Sequence, residues 1–229
     1  MTADRKSFTV HRSIAGICFI CAALAAGVPR AQAQAAANVL TYKDIPRRNG
    51  QPYKHWSLFL ICNPGWILQN GDAGIKQLYA AFDAFSMAIG PDNLAVWFSH
   101  RPNWIPTVDN TDIERMSTYC ERFNLLPSQT PQVVTVSSYP DDQDIGGNVV
   151  ANLSGNAADS SRALTELTDE LIRTGLNQTT LDESQWGSRV AASFFAAVSH
   201  ATCYLNKVSL SINTGVFKAE IAHTADKGC

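Results

Sequence analysis

The chain has 229 residues, a formal charge of −2, 45% hydrophobic residues and 17% charged ones. That apolar content supports a globular core and excludes a disordered chain. The near-neutral balance excludes nucleic acid as a partner, because phosphate contacts demand clustered Lys and Arg.

Taken in order, residues 1–33 read as a signal peptide. A polar, basic start (Arg5, Lys6, His11, Arg12) precedes a small-residue apolar segment, Ser13 to Val28, and Ala31-Gln-Ala33 offers a small-x-small cleavage site. The apolar segment is shorter than the roughly 20 residues of a membrane helix. An uncleaved anchor is the alternative, which Arg30 disfavours. Cys18 and Cys21 have no lipobox before them, so lipidation is not expected. The expected product starts near Gln34, is periplasmic or secreted, keeps no stable membrane span, and has a bacterial look.

Residues 34–55 read as an extended arm with a short strand at Val39 to Tyr42. Trp56 to Cys62 is a continuous apolar run stopped by Asn63-Pro64-Gly65, which predicts a central strand buried on both faces. A helix capped by Asp72 follows, with Ile75, Leu78, Tyr79, Phe82, Phe85 and Ile89 at helical spacing, ended by Gly90-Pro91. Asn93 to Ser99 is a second buried strand, parallel to the first through a right-handed crossover. Cys62 and His100 then stand at the carboxyl ends of the two strands. After the turn Arg101 to Thr107 comes a helix, Thr111 to Asn124, with Ile113, Met116, Cys120 and Phe123 on its buried stripe. Pro127 to Pro131 leads into the strand Gln132 to Ser137, with Asn148 to Leu153 as its antiparallel partner. A helix from Asp159 to Gly175 closes this region. Beyond it, residues 177–229 read as an extension: an apolar helix from about Glu183 to Thr202, then Cys203 to Ile212 and Val216 to Ile221 as a hairpin about Asn213-Thr-Gly215.

The order of elements over 56–176 resembles the thioredoxin fold. The local likeness is carried by Cys120-Glu-Arg-Phe-Asn-Leu-Leu126, by Thr130-Pro-Gln-Val-Val-Thr-Val136 and by Leu153-Ser-Gly155. The resemblance implies an α/β, three-layer sandwich with a central mixed sheet, to which the C-terminal helix and hairpin are added, and a cis peptide bond at Thr130-Pro131. It departs from the family in chemistry. The family's C-x-x-C lies where the first central strand enters its helix, a place read as Trp66-Ile-Leu-Gln69 with no cysteine, while Cys62 is read as part of the strand.

After signal cleavage four cysteines remain, Cys62, Cys120, Cys203 and Cys229, and they permit three pairings. The terminal Cys229 can swing on its tail to Cys203, so a Cys203–Cys229 disulfide is expected. Cys62 and Cys120, in core elements, are expected as buried thiols. Cys62 activated by His100 would be a Cys–His nucleophile, but a structural role for Cys62 is preferred. A soft-metal site with His55 lacks ligand spacing, and no metal or cofactor is expected. Trp66 and Trp104, with Thr130 and Pro131, are the candidates for a groove that takes an extended peptide. Asp141-Asp142-Gln-Asp144 reads as a solvated turn, not a calcium loop.

The function expected is that of an exported thioredoxin-like protein without the redox dithiol, a binding or accessory module for a protein or peptide in the cell envelope. The alternative is a single-cysteine thiol enzyme, oxidoreductase or peroxidase-like, using Cys62.

Overall fold

The computed structural model describes residues 39–41, 45, 53–90, 92–101, 105–143, 148–153, 155–173, 192, 208–213 and 218–223. These residues make a mixed α/β fold. In chain order the elements are β1 (Val39–Thr41), β2 (His55–Leu60), α1 (Pro64–Ala88), β3 (Asn93–Phe98), α2 (Ile113–Arg122), a single 3-10 turn (Pro127–Gln129), β4 (Gln132–Val136), β5 (Asn148–Asn152), α3 (Ala157–Arg173), β6 (Val208–Asn213) and β7 (Lys218–His223).

The sheet runs β1-β3-β2-β4-β5-β6-β7. Its centre is four strands, β3, β2, β4 and β5, whose every residue but the first of β5 is buried. β3 pairs parallel with β2 and with β1, whereas β4 pairs antiparallel with β2 and β5 antiparallel with β4. The strand–helix–strand order and the antiparallel partner agree with the reading of the sequence. The C-terminal strands form an antiparallel hairpin, as expected, and β6 adds it to the free side of β5. The apolar helix expected over 183–202 lies outside the described residues.

Aromatic side chains settle which helix meets which face. Successive residues of a strand point to opposite faces. On β3, Trp97 meets α1 through Tyr79 and Phe82, and stacks on Phe59 of β2 with centroids 4.6 Å apart. Its neighbour Phe98 stacks instead on Tyr119 of α2 at 4.9 Å. Phe59, Phe82, Phe85, Trp97 and Phe98 are fully buried. One polar ladder crosses the apolar sheet: the Ser57 hydroxyl lies 2.8 Å from Thr135 Oγ1 and donates to Asn93 Oδ1 at 3.1 Å, so this buried hydroxyl is satisfied.

Three elements begin before the sequence reading placed them, β2 by one residue, α3 by two and α1 by eight. α1 starts at Pro64, capped by Asn63, whose side chain accepts from the Gly65 N–H at 3.0 Å. Proline at the first helical position loses no hydrogen bond, since that N–H has no intrahelical partner. The helix is broken at Gly71 (φ 62°, ψ −174°) and resumes at Asp72. Asp72 was expected as the cap; its carboxylate instead accepts from the Val108 N–H at 2.8 Å, tying α1 to the β3–α2 connection.

Candidate functional site

The early start of α1 relocates Cys62. β2 ends at Leu60 and α1 is capped by Asn63, so Cys62 is the residue just before the cap, at the entry to a helix and not in the strand as expected. Parallel β2 and β3 end, and antiparallel β4 begins, at this same side of the sheet. The Cys62 N–H donates to Thr130 Oγ1 at 2.9 Å. The Thr130-Pro131 bond is cis, as the resemblance implied. The Pro131 carbonyl then accepts from the Leu153 N–H at 2.9 Å. The ends of β2, β4 and β5 are thus laced together around Cys62.

Cys62 is bonded to Cys120 of α2, with an S–S distance of 2.08 Å and Cα atoms 5.6 Å apart. The expectation of two buried thiols is corrected by this bond. Its physical cause is that Cys120 lies on the buried face of α2, which packs over the strand end from which Cys62 emerges. Nothing in the sequence short of the fold brings residues 58 apart into that register. The expected Cys203–Cys229 pair lies outside the described residues. The bonded pair is nearly covered, with 8% of Cys62 and 5% of Cys120 exposed.

His100 follows β3 as expected, but its Nδ1 lies 3.8 Å from the Asp112 carboxylate. Trp66 is in the first turn of α1, buried, and its indole N–H donates to the Gly155 carbonyl at 2.6 Å. Asn70 works beside it: its Nδ2 donates to the Trp66 carbonyl at 2.7 Å and its Oδ1 accepts from the Ala157 N–H at 2.7 Å. These bonds hold the segment before the Gly71 break against the start of α3. Thr130 and Pro131 are themselves buried. Trp104 lies outside the described residues.

Three large exposed apolar side chains lie on segments that leave or enter the sheet at this end: Leu68 on the first segment of α1, Ile105 on the β3–α2 connection, and Leu126 on the loop that leads to β4. Tyr119 of α2 donates to Asp141 at 2.6 Å, and burial followed by that carboxylate pushes its phenol well above the usual range. Among the described residues no group of His, Cys, Asp or Glu is arranged to hold a metal ion, and no helix is long and apolar enough to cross a membrane.

The sequence reading missed Asn63, Asn70, Gly155 and Cys120 as determinants of this site. Asn63-Pro64 was the available signal, being a cap residue followed by a first-turn proline. Comparison of the chain with protein-family models, with curated proteins and with solved structures found no match.

Proposed function

We propose that the chain is an exported thioredoxin-like protein that acts as a binding or accessory module on a protein or peptide of the cell envelope. The observation that carries this reading is the strand order β1-β3-β2-β4-β5 with its parallel and antiparallel pairs, and the cis bond before β4 beside the entry to α1. Helices meeting Trp97 on one face and Phe98 on the other support the three-layer sandwich. Cys62-Asn-Pro-Gly65 carries one cysteine where the family's motif has two, which favours binding over the usual adjacent-cysteine chemistry. The apolar rim of Leu68, Ile105 and Leu126 gives a partner something to cover.

The test is site-specific photocross-linking in the native envelope. A photoreactive residue at position 126 should yield discrete adducts. The same probe at Met87, which is exposed in the last turn of α1 away from the rim, should yield none. Equal adducts at both positions would refute a partner site at the rim. Export is checked separately by N-terminal sequencing of the envelope form, expected to begin at Gln34.

The second reading, a single-cysteine thiol enzyme using Cys62, needs that residue as a free thiol, and its bond to Cys120 stands against it.

A further inference from the structure

α1 and α3 touch at Gly74, where there is no room for a side chain: an added Cβ would meet that of Ala157 at 2.8 Å. Along the following turns the two helices line a groove of about 410 Å³, a volume in the range of small-molecule sites. Its walls differ in chemistry. α1 gives the methyl groups of Ala80, Ala81 and Ala84, with the Gln77 amide one turn earlier, whereas α3 gives Ser161, Arg162 and Thr165. Ser161 is 4% exposed, and its hydroxyl has no partner among the described residues. The other three hydroxyls of α3 are satisfied: Ser160 donates to the Leu153 carbonyl at 2.7 Å, Thr165 to that of Ser161 at 2.9 Å and Thr168 to that of Leu164 at 2.7 Å. A helical hydroxyl can turn back on the carbonyl four residues earlier, as those of Thr165 and Thr168 do, and Ser161 leaves its donor unspent at the groove wall instead.

We propose that the α1–α3 groove binds a linear monocarboxylate, an acyl chain with a free acid head. The head accepts from the Arg162 guanidinium and the Ser161 hydroxyl, and the hydrocarbon lies along Ala80, Ala81 and Ala84. The lining sets the sign of the head, because it holds one cation and no carboxylate, and Arg162 enters no ion pair among the described residues. Hydrogen bonds from a guanidinium to a carboxylate are the strong ones. The alanine wall sets the nature of the body. A peptide pressed against it would lose water from its N–H and C=O groups without replacement, while a methylene chain has no such groups to satisfy. Glu166 and Asp169 follow on α3 outside the lining and would hold a cationic head instead, so an amine of the same length is the decisive control. None of Leu68, Ile105 and Leu126 lines this groove, which is a second site beside the rim.

The test titrates the isotopically labelled full chain with decanoate, below its micelle concentration, and follows backbone amides by NMR. Shifts should concentrate on the turns of α1 and α3 that line the groove. Arg162→Gln should raise the dissociation constant about tenfold, since it removes charge-assisted hydrogen bonds. Ser161→Ala should raise it several-fold and leave the urea midpoint of the ligand-free chain unchanged or higher, because a hydroxyl without a partner adds nothing to the empty fold. A lowered midpoint would mark Ser161 as structural and overturn its place in the site. Ala84→Leu, with folding checked by circular dichroism, should abolish binding by filling the groove. The assignment is overturned if decanoate gives no shifts or shifts elsewhere, if decylamine binds as tightly as decanoate, or if an apolar tetrapeptide with a free carboxyl terminus binds more tightly.

Discussion

Removing the disulfide isolates how much of the fold depends on holding α2 to the sheet. The pair closes a loop of 58 residues. In the chain-entropy account such a closure restricts the unfolded chain by about 4 kcal/mol at 25 °C. α2 has ten residues, of which only Met116, Tyr119 and Cys120 are buried, so the helix contributes little apolar area to compensate. The double variant Cys62→Ala, Cys120→Ala should therefore lose about 4 kcal/mol, a fall in Tm of roughly 8–16 °C for a chain of this size. The assay is urea unfolding followed by circular dichroism, with the remaining cysteines left in place. Cys120→Ala alone should match the double variant to within about 1 kcal/mol, because either change opens the same loop. A loss below about 1 kcal/mol in the double variant would refute the loop-closure argument, and non-reducing peptide mapping without a 62–120 link would refute the bond itself.

The glycines of α1 and the buried tyrosine of α2 give three further tests. Gly71→Ala should destabilise by about 1–3 kcal/mol although nothing lies within 4 Å of the new methyl, because the backbone there (φ 62°, ψ −174°) is one that only glycine adopts freely; an unchanged urea midpoint would contradict it. At Gly74 two effects compete. Alanine gains about 1 kcal/mol of helix propensity, but its Cβ would meet Ala157 Cβ at 2.8 Å and Asn70 Cβ at 2.9 Å, an overpacking that costs about 1–3 kcal/mol, so a net loss is expected and a net gain would show that α1 and α3 separate easily. Tyr119 is held neutral, first by burial and then by Asp141, so its folded pKa is raised. Its contribution is complete below the unfolded value of about 10 and lost as pH rises beyond it. Stability measured between pH 9 and 11 should fall less steeply in Tyr119→Phe than in the parent chain, and equal slopes would refute the assignment.

Much of this fold was legible in the sequence because the signals are redundant. The β2 and β3 runs are apolar without alternation, which is the mark of strands covered on both faces, and both are fully buried. The helical stripe Ile75, Leu78, Phe82, Phe85 is buried as its spacing requires. What misled was glycine. Asn63-Pro64-Gly65 makes the stretch after Cys62 read as a turn, yet Gly65 is a tolerated second helical residue and Gly71 a break inside one long helix. The local competition was between glycine as a breaker and Asn63-Pro64 as a start signal. Asn70 and Trp66 tipped it by bonding to Ala157 and Gly155, residues almost ninety positions away that no local reading can weigh.

That one boundary carries the chemistry with it. With α1 starting at Asp72, Cys62 would be an inert strand residue, and Cys120 a small hydrophobe on a helix stripe. With α1 starting at Pro64, Cys62 stands at a helix entry, its N–H is fixed by Thr130, and its side chain falls within bonding reach of Cys120. The pair brings together one cysteine at the entry to a helix and another arriving from α2. A pair assembled by tertiary packing differs from an adjacent pair in one respect that matters for function: opening it frees α2 from the sheet as well as freeing two thiols. Loss of protection at α2 amides, relative to those of α1, on reduction of the native protein is the result expected from that coupling. Uniform protection across both helices would show that packing alone holds α2 in place.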